Sequence, residues 1–248
     1  MLLDGKNALI YGGGGSIGGA VARAFGREGA AVFLAGRTQE TLDPVADDVR
    51  SAGAKAETAI VDALDEAAVE AHADSVGRID VSINVIAHPY THGTPFTDLT
   101  VDEFMAPPQV ALRSNFITAR AAGRRMAAQG SGAILFFGGT GAPTTGYHIG
   151  ATQVAFDGME SLRRLVSAEL GRQGVRAVSL VTGGVFDSLA EDFPGRDEII
   201  AGALEQSMLP RTAGYDDVGY AAAFAASDRA GAITCATINI SCGAIPDF

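Results

Sequence analysis

The residues of this chain with the clearest chemical meaning are seven in a row, Gly12-Gly13-Gly14-Gly15-Ser16-Ile17-Gly18, between an apolar run (Asn7 to Tyr11) and an alanine-rich stretch (Gly19 to Phe25). Glycines let a backbone turn sharply after a strand and come within hydrogen-bonding distance of phosphate oxygens. The helix that follows then points its N-terminal N–H groups and positive dipole end at the anion. Gly13, Gly15 and Gly18 satisfy GxGxxG, and Gly12, Gly15 and Gly18 satisfy GxxGxxG; both registers place Gly18 where helix and strand approach closely. The chemistry implied is retention of a dinucleotide pyrophosphate by Gly12, Gly15, Ser16, Ile17 and Gly18. A second constellation, His88 and His92, has HxxxH spacing. That spacing places two imidazoles on one face only in a helix, and Pro89 opposes a helix here. No metal site is therefore expected, and His88 reads as a substrate-contacting or acid–base residue or as an ordinary loop histidine.

These residues need a frame to hold them. At 248 residues, 47% of them hydrophobic, the chain can bury a full core, and no Pro/Ser linker divides it. Short β-rich runs alternate with longer amphipathic stretches, the rhythm of a parallel sheet covered by helices. Strands are predicted near 7–11, 31–36, 56–61, 80–86, 132–138, 175–181 and 236–241, and helices near 17–28, 39–52, 65–77, 98–105, 109–129, 152–173 and 215–227. The expected fold is α/β: a single doubly wound Rossmann-type domain over residues 1–248, with a seven-stranded parallel sheet flanked by helices on both faces. Ligands of such sheets sit beyond the carboxyl ends of the strands. The segments after residues 11, 36, 61, 86, 138 and 181 thus form the functional rim, and 183–214 is long enough to be a lid over substrate. Phe186, Leu189, Phe193, Ile199, Ile200 and Met208 suggest that the lid has an apolar inner side.

A net charge of −11 argues against nucleic acid, whose phosphates would be repelled. No basic segment followed by an apolar core opens the chain, and no apolar run approaches the roughly 18 residues that span a bilayer. Cys235 and Cys242 flank a predicted strand that would hold them roughly 23 Å apart, too far to bridge. Free thiols without a targeting segment read as cytoplasmic, with neither membrane nor nucleic acid as partner.

With these features the chain resembles the short-chain dehydrogenase/reductase family over essentially its whole length. Besides the glycine loop, the resemblance rests on Val61-Asp62-Ala63-Leu64, on Asp80 through Asn84, on Arg120-Ala121-Ala122, on Ser167-Ala168-Glu169-Leu170-Gly171, and on the ending Ile238-Asn239-Ile240-Ser241-Cys242-Gly243. It implies that Asp62 and Ala63 contact the adenine, that Asn84 belongs to the cofactor-binding fourth-strand motif, and that the protein forms homotetramers or homodimers. The interface would use the helices near 109–129 and 152–173, where Met126, Phe156, Met159, Leu162 and Leu165 fit either an interface or a core. At the end of the second strand, Gly36-Arg37 offers a guanidinium where an acidic residue would bind a ribose 2′-hydroxyl. Arginine there can pair with a 2′-phosphate, which points to NADP(H), or can stand as a solvated surface side chain.

The resemblance further implies a catalytic Asn, Ser and Tyr-x-x-x-Lys. The matching positions hold Ala111, Gly139, Thr152 and Phe156. Asn115, one helical turn beyond Ala111, could hold a relay water or serve packing. Tyr147 and His148, just ahead of Thr152, are either proton donors or wall residues of the pocket. The expected function is an NADPH-dependent oxidoreductase with a non-standard proton donor among Tyr147, His148, Thr152 and His88, reducing a C=C, C=N or C=O bond of a small hydrophobic molecule. The alternatives are a non-redox enzyme of the same fold (cyclase, isomerase or lyase) and a catalytically silent dinucleotide-binding subunit.

Overall fold

The computed structural model describes residues 1–90, 93–139, 148–189 and 191–246. Strands and helices alternate as β1 (Asn7–Tyr11), α1 (Ser16–Arg27), β2 (Ala31–Gly36), α2 (Gln39–Ser51), β3 (Ala56–Ile60), α3 (Glu66–Val76), β4 (Val81–Asn84), α4 (Val101–Gln129), β5 (Gly132–Gly138), α5 (Thr152–Leu170), β6 (Val175–Val181), α6 (Arg196–Gln206), α7 (Tyr215–Ala226) and β7 (Ala236–Asn239). The strands form one parallel sheet in the order β3-β2-β1-β4-β5-β6-β7. Strand order reverses between β1 and β4, which opens the crevice where β1 hands over to the glycine loop.

Alternate residues of each strand feed two cores. Ile10, Leu34, Ile83, Leu135 and Leu180 join Val21, Phe25, Leu42 and Val218 on the face covered by α1, α2 and α7. Leu9, Tyr11, Phe33, Ile134 and Phe136 join Val69, Ile117 and Met126 on the face covered by α3 and α4. Register aligns Leu34, Ile10, Ile83, Leu135 and Val178 across five strands, and each such buried aliphatic contributes about 1.5–3 kcal/mol. The doubly wound seven-stranded sheet read from the sequence is the observed architecture.

Four boundaries differ from the sequence reading. The helices expected at 98–105 and 109–129 are one helix, α4, with Pro107 and Pro108 inside it and both buried. Proline removes a ladder donor and normally ends a helix. Here the helix is started firmly by a capping box, in which Glu103 N–H donates to Thr100 Oγ1 at 3.2 Å and Thr100 N–H donates to Glu103 Oε2 at 2.8 Å, and the pyrrolidine rings are buried on its inner side. β4 stops at Asn84 because Asn84 Oδ1 accepts the Ile86 N–H at 3.0 Å and turns the chain out of the ladder. β7 stops at Asn239, and Ser241 then accepts the N–H groups of Ala244 and Ile245, with Cys242 in the left-handed region at φ +55. Finally, α6 lies inside the 183–214 segment read as a lid, where no helix was expected. It buries none of its residues, so no buried face exists to print a helical period on the sequence.

Candidate active site

The loop after β1 is pinned to β2, with Gly12 and Gly13 both donating to the Ala35 carbonyl at 2.8 and 3.1 Å. Gly12 has φ +80, and a Cβ there would lie 2.8 Å from the Val85 carbonyl and the Ile86 nitrogen, so the loop runs against the end of β4 with no room for a side chain. A Cβ on Gly18 would strike the Gly12 carbonyl oxygen. α1 starts at Gly15 with no capping side chain and no acidic residue in its first turn. By contrast, α3 is capped by Asp65, α4 by Thr100, and Asp217 in the first turn of α7 accepts the Gly214 N–H. Ser16, Ile17 and Gly18 thus carry the first N–H groups of α1 with no internal acceptor supplied for them. A cradle that a single Cβ would fill, at an uncapped helix start, fits a dinucleotide pyrophosphate.

Beyond the cradle, Arg37 is exposed at the end of β2 and makes no hydrogen bond or ion pair among the described residues. The exposed Asp62 accepts the Leu64 N–H at 2.9 Å, and Ala63 beside it is buried. Asn84 is buried; its Nδ2 donates to Thr118 Oγ1 at 3.3 Å, and its Oδ1 holds the turn after β4. Its side chain therefore shapes the rim from within.

The other half of the rim is aromatic. His88 and Tyr90, after β4, are stacked with ring centroids 5.7 Å apart and planes 8° apart. The ring of Phe156 on α5 meets both edge-on, at 5.9 and 6.5 Å. Phe156 also rests on the two glycines that end β5: a Cβ on Gly139 would lie 2.7 Å from its Cε2, and one on Gly138 2.9 Å from its Cδ1. The side-chain-free Gly138-Gly139 and the bulky Phe156 therefore fit only together. His88 Nδ1 lies 3.1 Å from the Pro89 carbonyl. A carbonyl only accepts, so Nδ1 carries the hydrogen in this contact.

The remaining candidates are dispersed. Thr152 opens α5 and is fully buried. His148 is exposed with φ +46, and its carbonyl accepts the Gly93 N–H at 3.1 Å, tying the loop after β5 to the loop after β4. Tyr147 and His92 lie outside the described residues. Asn115 Nδ2 donates to the Ala111 carbonyl at 2.9 Å and lies 3.3 Å from Met159 Sδ, so its amide is turned onto its own helix. Among the described residues no cluster of three or more His, Cys, Asp and Glu could hold a metal, and no helix is long and apolar enough to cross a membrane.

In the 183–214 segment, Phe193, Ile199 and Met208 are exposed, whereas Phe186, Leu189 and Ile200 are half-buried. The segment is fastened by Met208 and Leu209, whose N–H groups both donate to the Cys242 carbonyl at 3.0 Å. Met126, Phe156 and Met159 prove to be core, while Leu162 and Leu165 line a groove of about 520 Å³ between α4 and α5, away from the rim. Sequence reasoning did not single out Tyr90 or Gly138. The only available signal was local, a tyrosine two residues past His88, because Phe156 is remote in the chain.

A family model described as enoyl-(acyl carrier protein) reductase matches residues 13–244. Similar curated proteins are dehydrogenases and reductases. Galactitol 2-dehydrogenase (L-tagatose-forming) of Cereibacter sphaeroides is 29% identical over 97% of this chain and 95% of its own. An A-factor type gamma-butyrolactone 1′-reductase of Streptomyces virginiae is 30% identical over 98% and 96%. Among solved structures, a gluconate 5-dehydrogenase from Burkholderia cenocepacia J2315 in complex with NADP and tartrate superimposes with a TM-score of 0.85 at 26% identity, covering 98% of this chain and 96% of that one. An NAD+-bound xylitol dehydrogenase shares the fold at TM-score 0.87 and 21% identity, over 98% of this chain and all of its own.

Proposed function

Because the chain belongs to the short-chain dehydrogenase/reductase family, we propose that it is an NADPH-dependent oxidoreductase whose proton donor is not a tyrosine–lysine pair. The observation that carries this reading is the cradle at the start of α1, bare of side chains and uncapped, with the exposed Arg37 beside it. When bound, the nicotinamide supplies the hydride. The N–H groups of Ser16, Ile17 and Gly18 hold the pyrophosphate, and Arg37 pairs with the ribose 2′-phosphate. Asp62, Ala63 and Asn84 border the adenine side of the crevice.

The candidate proton donors are Tyr147, His148, Thr152 and His88, the first three of them at or just before the start of α5 in the sequence. Where the family resemblance implies a tyrosine and a lysine, this chain has the buried Thr152 and Phe156. Reduction of a C=C or C=N bond demands less of such a pair than reduction of a ketone, so these bonds rank above C=O, in a small hydrophobic substrate beneath the 183–214 segment. The similar proteins named for polyols and butyrolactones act on carbon–oxygen centres, and this chain's altered positions set it apart from a simple transfer of those substrates. The groove between α4 and α5, with exposed Phe116 and Leu165, supports a homotetramer or homodimer.

Binding of NADPH and NADH, measured in parallel on the wild type and on Arg37→Ala, tests the reading. Micromolar NADPH binding that weakens about 10- to 100-fold in the variant, with NADH unaffected, is the expected result. Absence of binding by either nucleotide overturns it. One observation favours a second reading, a non-redox cyclase, isomerase or lyase or a silent dinucleotide-binding subunit: Phe156 places an apolar ring, not a cation, against the end of β5. Turnover that leaves the absorbance of reduced nicotinamide unchanged would select it.

A further inference from the structure

We infer that the exposed face of Tyr90 is a stacking platform for a planar, conjugated ring of the substrate. This rests on the reading of the β4–β5 rim as the substrate end of the crevice. Tyr90 is 64% exposed, yet two rings pack against it. His88 stacks on it, Phe156 abuts both rings edge-on, and Phe156 is itself seated on Gly138 and Gly139. His88 is clamped by its Nδ1–H to the Pro89 carbonyl, and Pro89 fixes the backbone between the two stacked rings. The three rings therefore pack on one another before any ligand arrives, which limits the side-chain ordering that a flat ring laid on them would cost.

An aromatic face prefers offset-stacked or edge-on partners that are themselves π systems, and a saturated ring of equal size gains only the area it covers. Stacking on Tyr90 would place the ligand's ring on the side of the tyrosine that His88 leaves open. The substrate class that follows is an unsaturated carbonyl or imine compound conjugated with an aromatic ring, rather than an open-chain polyol.

Benzylideneacetone and its cyclohexyl counterpart carry the same enone and differ only in the unsaturation of the ring. Calorimetric titration of both, in the presence and absence of NADPH, tests the shelf on the wild type, Tyr90→Phe and Tyr90→Leu. The expected result is a preference for the phenyl compound of about three- to tenfold, kept in Tyr90→Phe and lost in Tyr90→Leu. Equal affinities in the wild type, persistence of the preference in Tyr90→Leu, or no binding of either compound would each overturn the inference. NADPH affinity is read in the same titrations. A protein that shows the phenyl preference but binds no NADPH would keep the shelf and lose the oxidoreductase reading, whereas one that binds NADPH with no preference would do the reverse.

Discussion

At the ends of β1 and β2 the rim is bare backbone and the exposed Arg37 guanidinium, whereas at the ends of β4 and β5 it is three packed rings over two glycines. Glycines do opposite work in the two places. Gly12 and Gly18 lack side chains so that the loop can close on β4 and on itself and leave N–H groups facing the crevice. Gly138 and Gly139 lack them because Phe156 already fills the space their side chains would need. A run of glycines in this fold therefore marks either an opening for a ligand or a seat for a neighbouring side chain, and the neighbour decides which.

The largest effect expected from breaking this contrast is at Gly12. Gly12→Ala places a Cβ against the Val85–Ile86 backbone at a positive φ, with neither partner able to move aside. A loss of about 3 kcal/mol or more is expected, read as a fall in melting temperature on the order of 6–12 °C, together with loss of dinucleotide binding. Gly139→Ser is gentler, because the obstacle is a side chain: about 1–3 kcal/mol from overpacking. In a double-mutant cycle with Phe156→Ala that cost should shrink by more than about 0.5 kcal/mol, and additive losses would show that the ring and the glycine are not coupled.

The smallest effect concerns His72 on α3, half-buried with Nδ1 lacking a partner and Tyr11 edge-on at 6.1 Å. Burial lowers its pKa below the usual histidine value, opposed only in part by Glu57. The folded state therefore binds fewer protons than the unfolded one. The stability present above about pH 6.5 is lost as pH falls toward the lowered folded value. The melting temperature of His72→Gln should decline less than that of the wild type over that interval; parallel declines would remove His72 as the cause.

What was legible in the sequence was what is local in it. Most strands are short apolar runs bounded by turns, and all seven could be placed. The Gly12–Gly18 loop and Arg37 also lie within one βαβ stretch. The aromatic shelf was not legible, because His88 and Tyr90 reach Phe156 only after α4 and β5 bring the two loops together. α6 was missed because a helix with no buried face leaves no period. α4 was divided because Pro107 and Pro108 are helix breakers by local propensity, and only their burial in the assembled fold outweighs it.

Those two prolines leave their mark on how α4 is held together. Two consecutive amide donors are absent from its ladder, so the first turns, Val101 to Ala106, are tied to the rest of the helix by fewer hydrogen bonds than an unbroken helix would give them. A segment attached in this way opens as a small cooperative unit of its own, at less cost than the long stretch behind it. The first turns of α4 thus form a joint between the capping box at Thr100 and the stretch of the helix packed on the sheet.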